Sequence, residues 1–165
     1  SHQTEVSSST GITLVTLQNC PSNMAALAEV FTRIAAMGIN VDMISLSPNL
    51  GSTMAVSFTI SDEDLGEILK FTSKLLETSK IKTIVSSGNC KINVYDENMV
   101  NTPGMAARVF SAAAHVAPDL RIITTSDVDI SILVTEAEFE STLQAISQAM
   151  QDGACLLYTS DAADD

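Results

Sequence analysis

Histidine and cysteine are scarce here, and neither is grouped. The 165 residues hold 2 histidines, His2 and His115, and 3 cysteines, Cys20, Cys90 and Cys155. Two isolated histidines supply neither a Ser/His/Asp triad nor a histidine-based metal site, so no catalytic residue and no metal ligand is assigned. Three widely spaced cysteines without a CxxC do not make a disulfide framework, and a reducing cytoplasm is the expected compartment. Basic residues are also few: 8 Lys plus Arg stand against 20 Asp plus Glu, a net charge of −12. A surface this acidic repels phosphate backbones and anionic lipid, which excludes nucleic acid and membrane as expected partners. No apolar run approaches the roughly 20 residues of a membrane span. The 7 glycines are scattered and form no phosphate-cradling loop of the GxxxxGK[ST] kind. There is no initiator Met and no signal-peptide pattern at Ser1–Gly11, so the chain reads as a piece of something longer.

What is present is core. Hydrophobic residues make up 45 % and charged residues 17 %, with mean hydropathy +0.24. That is enough apolar material for one packed domain or two small ones. The last stretch, Cys155–Asp165, breaks the pattern. Helical periodicity stops at Met150, Gly153 reads as a helix stop, and CLLYTSDAADD resembles translated adapter sequence. Residues 151–165 are therefore expected to be a non-native or disordered tail.

The rest is written twice. Ala28-Glu29-Val30-Phe31 has its counterpart in Ala107-Arg108-Val109-Phe110, 79 residues on, and Val41–Ser47 falls on Leu120–Ser126 at the same offset. A period this long marks a duplicated domain. In the first copy Ile12–Leu17 reads as a strand, and Ser22 is the expected N-cap of a helix striped by Leu27, Val30, Phe31 and Ile34. Gly38 ends that helix. Val41–Leu46 is a strand, Pro48–Gly51 a turn, and Met54–Ile60 a half-buried strand. Ser61 and Asp64 suggest a capping box before a helix striped by Leu65, Ile68, Leu69, Thr72 and Leu76, and Ile81–Val85 closes the copy. The second copy starts at Lys91–Tyr95. Thr102 caps a helix with Pro103 in its first turn, striped by Met105, Val109, Phe110 and Ala113. Leu120–Thr125 and Val128–Val134 form a tight hairpin. Thr135 and Glu138 box the last helix, striped by Phe139, Leu143, Ile146 and Met150. The order β-α-β-β-α-β predicts an α+β fold: two ferredoxin-like units, each an antiparallel sheet with helices on one face.

Two stretches carry a family likeness: TLQNCPSNMAALAEVFTRIAAMGINVDMIS, Thr16–Ser45, and NTPGMAARVFSAAA, Asn101–Ala114, continuing through IITTSDVDISILV, Ile122–Val134. They resemble the tandem ACT domains at the C-terminus of aspartate kinase. The resemblance implies a first ACT domain at 11–88 and a second at 89–150. It also implies that an N-terminal strand within 1–10, at Thr4–Ser9, completes the second. The parent activity is ATP- and Mg-dependent phosphorylation of L-aspartate. The kinase domain would lie in cis ahead of this stretch, which by itself is expected to be non-catalytic and free of cofactor. The family further implies homodimerisation through the ACT domains and feedback inhibition by an end-product amino acid, L-lysine or alternatively threonine.

An ACT domain holds its ligand where the first strand meets the first helix, and a helix N-terminus suits an α-carboxylate. By position in the motif the effector residues are Cys20, Ser22, Asn23, Met24, Leu27, Asn40, Val41 and Asp42, with Asp42 receiving the ligand ammonium. Each has a plainer reading. Ser22 also serves as a cap, Asn40 as a turn residue, Leu27 as core, and Asp42 as an exposed strand residue. The second copy has Asp119 and Arg121 at the places of Asn40 and Asp42, and an arginine there disfavours an ammonium. Two other classes remain: a stand-alone ACT-pair sensor, and a hydrolase of the acylphosphatase kind. The latter needs an arginine beside a phosphate loop, and Arg33, Arg108 and Arg121 have none.

Overall fold

The structure, a computed structural model, describes residues 4–49, 51–116 and 118–164, of which the side chains of 152–164 are outside the description. His2, Leu50 of the Pro48–Gly51 turn, and any packing by the side chains of 152–165 therefore lie outside the described residues, while Gln151 is exposed.

The chain divides into two units. Thr10–Asn89 form the first, and the residues up to Ser9 join the chain from Cys90 onward in the second. Strand β1 (Glu5–Pro21) leads to helix α1 (Met24–Ala36), and strands β2 (Ile44–Pro48) and β3 (Thr53–Ser61) follow. Helix α2 (Leu65–Thr78) and strand β4 (Lys82–Tyr95) come next. Helix α3 (Met105–Val116), strands β5 (Ile122–Thr125) and β6 (Asp129–Thr135), and helix α4 (Glu136–Asp164) complete the order. The strands of the first unit lie in the order β2-β3-β1-β4, and those of the second in the order β1-β4-β6-β5. Both are ferredoxin-like antiparallel plaits.

In the first unit β1 and β3 pair from Ile12↔Ser61 to Leu17↔Val56. Alternation sends Val15, Leu17, Val56 and Phe58 to the helix side, where they are fully buried under Val30 and Ile34 of α1 and Ile68, Phe71 and Leu75 of α2. On the other face Thr16 and Ser57 share a hydroxyl hydrogen bond of 3.0 Å. The second unit repeats the scheme with Ile92, Val94, Ile130, Ile132 and Val134 packed on Met105, Val109 and Ile146, and Val6 lies against this core.

Several local expectations are corrected. Ile12–Leu17 is only part of the 17-residue β1, and Ile81–Val85 and Lys91–Tyr95 are one 14-residue β4. Gly11 (φ +68°) and Gly88 (φ +71°) take left-handed backbone inside these strands without ending them. β2 starts at Ile44 and not at Val41, because Thr59 takes the Met43 N–H on its side-chain Oγ1 at 2.9 Å. Ser61 caps the Glu63 N–H of a short 3-10 turn, Asp62–Asp64, so the box with Asp64 does not form. The α2 stripe is Ile68, Phe71, Thr72 and Leu75, while Leu69 and Leu76 face solvent. Thr102 and Pro103 precede α3, which starts at Met105 because Gly104 sits at φ +89°. Its buried face holds Ala112 beside Ala113, and Phe110 is exposed. Finally, α4 runs through Gly153 to Asp164. One glycine costs a helix only about 1 kcal/mol relative to alanine, which the continuing turns offset.

The N-terminal strand is tied to the second unit by a buried acid. Asp96, 2 % exposed, accepts hydrogen bonds from Thr4 Oγ1 at 2.8 Å and the Asn98 N–H at 2.9 Å. Asp96→Ala is expected to destabilise the second unit by about 2–3 kcal/mol, the scale of lost bonds to a charged acceptor. Hydrogen exchange at Glu5–Ser9 should quicken, and unchanged exchange there would show that the tie holds nothing.

Candidate functional site

The sequence-predicted site residues fall into two groups. The first gathers where β1 hands over to α1. Between Leu17↔Val56 and Cys20↔Met54 the pairing shifts by one residue, a bulge that carries Asn19 at φ +65°. The Ser22 N–H then donates to Ser52 O at 2.8 Å, turning the chain off the sheet. Asn23, not Ser22, is the N-cap: its Oδ1 accepts the Ala26 N–H at 2.8 Å from an extended backbone. An Asn side chain at that position reaches the third helical amide, and Ser22 is one residue too early. No acid lies in the first turn of α1, so nothing of its own neutralises the positive end of the helix. Ser22, Asn23 and Met24 are exposed. Cys20 is buried, and burial pushes its thiol pKa up, which leaves it unreactive. Leu27, one turn into α1, packs against the core.

The second group is Asn40, Val41 and Asp42. Gly38 (φ +75°) releases the chain from α1, and its N–H bonds Ala35 O at 2.9 Å. Asn40 and Asp42 are exposed, and Val41 is half-buried on the core. The Asp42 N–H donates to Thr59 O at 3.0 Å. Ser22 thus sits beside Ser52 and Asp42 beside Thr59. Seven residues of extended chain separate those anchors, about 23 Å at ~3.3 Å per residue. That exceeds the span of any free amino acid. Within one chain, Cys20, Ser22, Asn23, Met24 and Leu27 come together, and so do Asn40, Val41 and Asp42, but the two groups lie at opposite ends of the sheet.

In the second copy Arg121 repeats the backbone bond of Asp42, donating its N–H to Leu133 O at 3.0 Å. Its guanidinium is held by Asp119 at 3.3 Å. A cation stands where the first copy has a carboxylate, so that place offers an ammonium nothing.

The first unit also contains a feature that sequence reasoning missed, a cavity of about 190 Å³ between α1 and α2 over the sheet. Its walls are Leu17, Val30, Val56, Leu75 and Ile81, all buried, and Cys20 and Leu27 reach it from the first group. Glu29 and Arg33, one helical turn apart on the exposed side of α1, also line it. Such a pair in sequence reads as ordinary solvated helix surface, and no motif signals a void behind it. Among the described residues no group of acids, cysteines and histidines could hold a metal, and no helix is long and apolar enough to cross a membrane.

Comparison with known proteins agrees with this architecture. Residues 92–150 match the family described as ACT domain. An aspartokinase of Bacillus sp. (strain MGA3) is 30% identical over 143 residues, which are 85% of this chain and 34% of that protein. The aspartokinase of Geobacillus stearothermophilus is 31% identical over 138 residues, 84% of this chain and 33% of the relative. The chain thus spans about a third of the length of the curated relatives it matches. The regulatory subunit of aspartate kinase from Thermus flavus superposes with a TM-score of 0.81 at 26% identity, covering 90% of this chain and 99% of that one. Fold and duplication define a chain built of two ferredoxin-like units, and the second of them matches the ACT family. Among such chains its likeness is to the regulatory region of aspartate kinase.

Proposed function

We propose that the chain is the amino-acid-sensing region of a cytoplasmic aspartate kinase, and that it binds an end-product of the pathway, L-lysine first and threonine as the alternative. The kinase portion, with its ATP and Mg, would lie in cis, and ligand binding would lower its activity.

The observation that carries this reading is the edge of the first unit. β2 is the outermost strand, and its Ile44 and Leu46 are 47 % and 48 % exposed. An unpaired edge with apolar side chains is a template for another strand. Antiparallel pairing of β2 with β2 of a second copy, about a two-fold axis, sets the Ile44 end of one strand against the Pro48 end of the other. Asp42 of one copy then lies at the same end as the Ser22–Met24 segment of its partner. The two groups that one chain holds about 23 Å apart along β3 converge between two chains. The ligand carboxylate takes the N-terminal amides of α1 from one copy, and its ammonium takes Asp42 from the other. A ligand bound by both copies favours the paired arrangement, and such coupling between binding and assembly is typically worth ~1–3 kcal/mol.

Calorimetric titration with lysine, threonine and methionine tests the reading. Lysine should bind, and Asp42→Ala should weaken it at least about tenfold, since a hydrogen bond to a charged group contributes roughly 1.5–3 kcal/mol. Arg121→Ala should leave lysine affinity unchanged. Normal lysine binding by Asp42→Ala with loss in Arg121→Ala would move the site to the second copy.

A further inference from the structure

We propose that the cavity between α1 and α2 is a second amino-acid site, separate from the edge of the unit, and that it takes a zwitterion with an aliphatic side chain. The floor is made by Leu17, Val30, Val56 and Leu75, all buried, and it offers such a side chain an apolar surface. The volume of about 190 Å³ is of the order of one aliphatic side chain with its α-carbon groups. Protein interiors are close-packed, and an unfilled apolar space of this size forfeits contacts that an entering group restores.

The polar groups stand at the exposed side and carry both signs. Arg33 is held in place by its guanidinium lying 4.8 Å over the Phe71 ring, which leaves the in-plane N–H donors for a carboxylate. Glu29, one turn earlier, supplies an acceptor for an ammonium. Among the described residues neither side chain has an ion pair or hydrogen bond, and the attraction between two exposed charges across one turn is too weak to block a ligand. The last turn of α2 ends at Thr78 and Ser79, both on the cavity, and the carbonyl end of a helix adds a negative potential on the ammonium side. One cation, one anion and an apolar floor are the complement of leucine, isoleucine, valine or methionine. A longer cationic side chain such as lysine would bury its ammonium without a partner.

Titration of the full chain with L-leucine, L-isoleucine, L-valine and L-methionine, with glycine as the control, tests this. The aliphatic amino acids should bind saturably and shift the methyl NMR signals of Leu17, Val30, Val56 and Leu75, and glycine should not. Arg33→Gln should weaken leucine at least about tenfold, the usual loss with one charge-assisted bond. Ala26→Leu, which points a larger side chain into the void, should abolish leucine binding with melting temperature equal to or above that of the unsubstituted chain. Asp42→Ala should leave leucine affinity untouched, which separates this site from the one at the sheet edge. The proposal is overturned if no aliphatic amino acid binds, if glycine binds equally well, or if Ala26→Leu binds leucine normally.

Discussion

Phe58→Ala is expected to cost the first unit about 3–5 kcal/mol, the usual loss for a buried phenylalanine cut back to alanine. Phe58 is fully buried at the centre of β3, opposite Val15 of β1 and Ile44 of β2. Its ring meets that of Phe31 on α1 edge-on, with centroids 5.2 Å apart, a geometry that adds to simple burial. The same side chain therefore joins three strands to a helix, and its removal leaves a void that rigid strands cannot close. Domains of this size are stable by about 5–15 kcal/mol, so the variant should stand near the edge of unfolding. Urea denaturation measures it: the midpoint should fall with little change in slope. Phe110 is the repeat counterpart of Phe31, yet it is 40 % exposed. Phe110→Ala should cost less than about 1 kcal/mol, in line with exposed positions. Equal losses for Phe58 and Phe110 would mean that the core has been placed wrongly.

The duplication and the fold class were legible because they rest on periodicity summed over many residues. The α1 stripe Leu27, Val30, Phe31, Ile34 packs where its spacing puts it. On α2 two interleaved sets have helical spacing, and only contact with the sheet chooses Ile68, Phe71 and Leu75 over Leu69 and Leu76. The cap of α1 was legible to within a residue, whereas α2 follows Asp64 and not Ser61, and α3 follows Gly104 and not Thr102. Ser22 and Asn23 are both good N-caps by type, and the turn after Pro21 decides between them. The long strands were hidden by glycines that look like breaks, since a left-handed glycine is equally at home in a bend within a strand. The motif named candidate residues, but it did not show that they fall into two separate groups. α1 has 13 residues and so spans about 20 Å at ~1.5 Å per residue, and it necessarily carries the chain back to the far end of the sheet. The cavity could not be read at all, because a void is a property of how side chains from four elements fail to meet.

That division gives the effect expected to separate a two-chain site from a one-chain site most sharply. Asp42→Ala removes the acceptor for the ligand ammonium. Ser22→Asp places a carboxylate against the ligand carboxylate, at a position where a helix start tolerates negative charge, so the chain should still fold. Each variant alone should bind lysine at least about tenfold more weakly, because every site in its dimer lacks one half. Mixing the two after dissociation changes the arithmetic. In a mixed dimer, one site joins the intact α1 start of the Asp42→Ala chain to the intact Asp42 of the Ser22→Asp chain. The other site is damaged twice. Random exchange makes about half the dimers mixed, so about a quarter of all sites recover full affinity. Calorimetry of the mixture should show that fraction binding as the unsubstituted chain does, growing as subunits exchange. If both groups acted within one chain, mixing would recover nothing, and the paired β2 edges would have no part in holding the ligand.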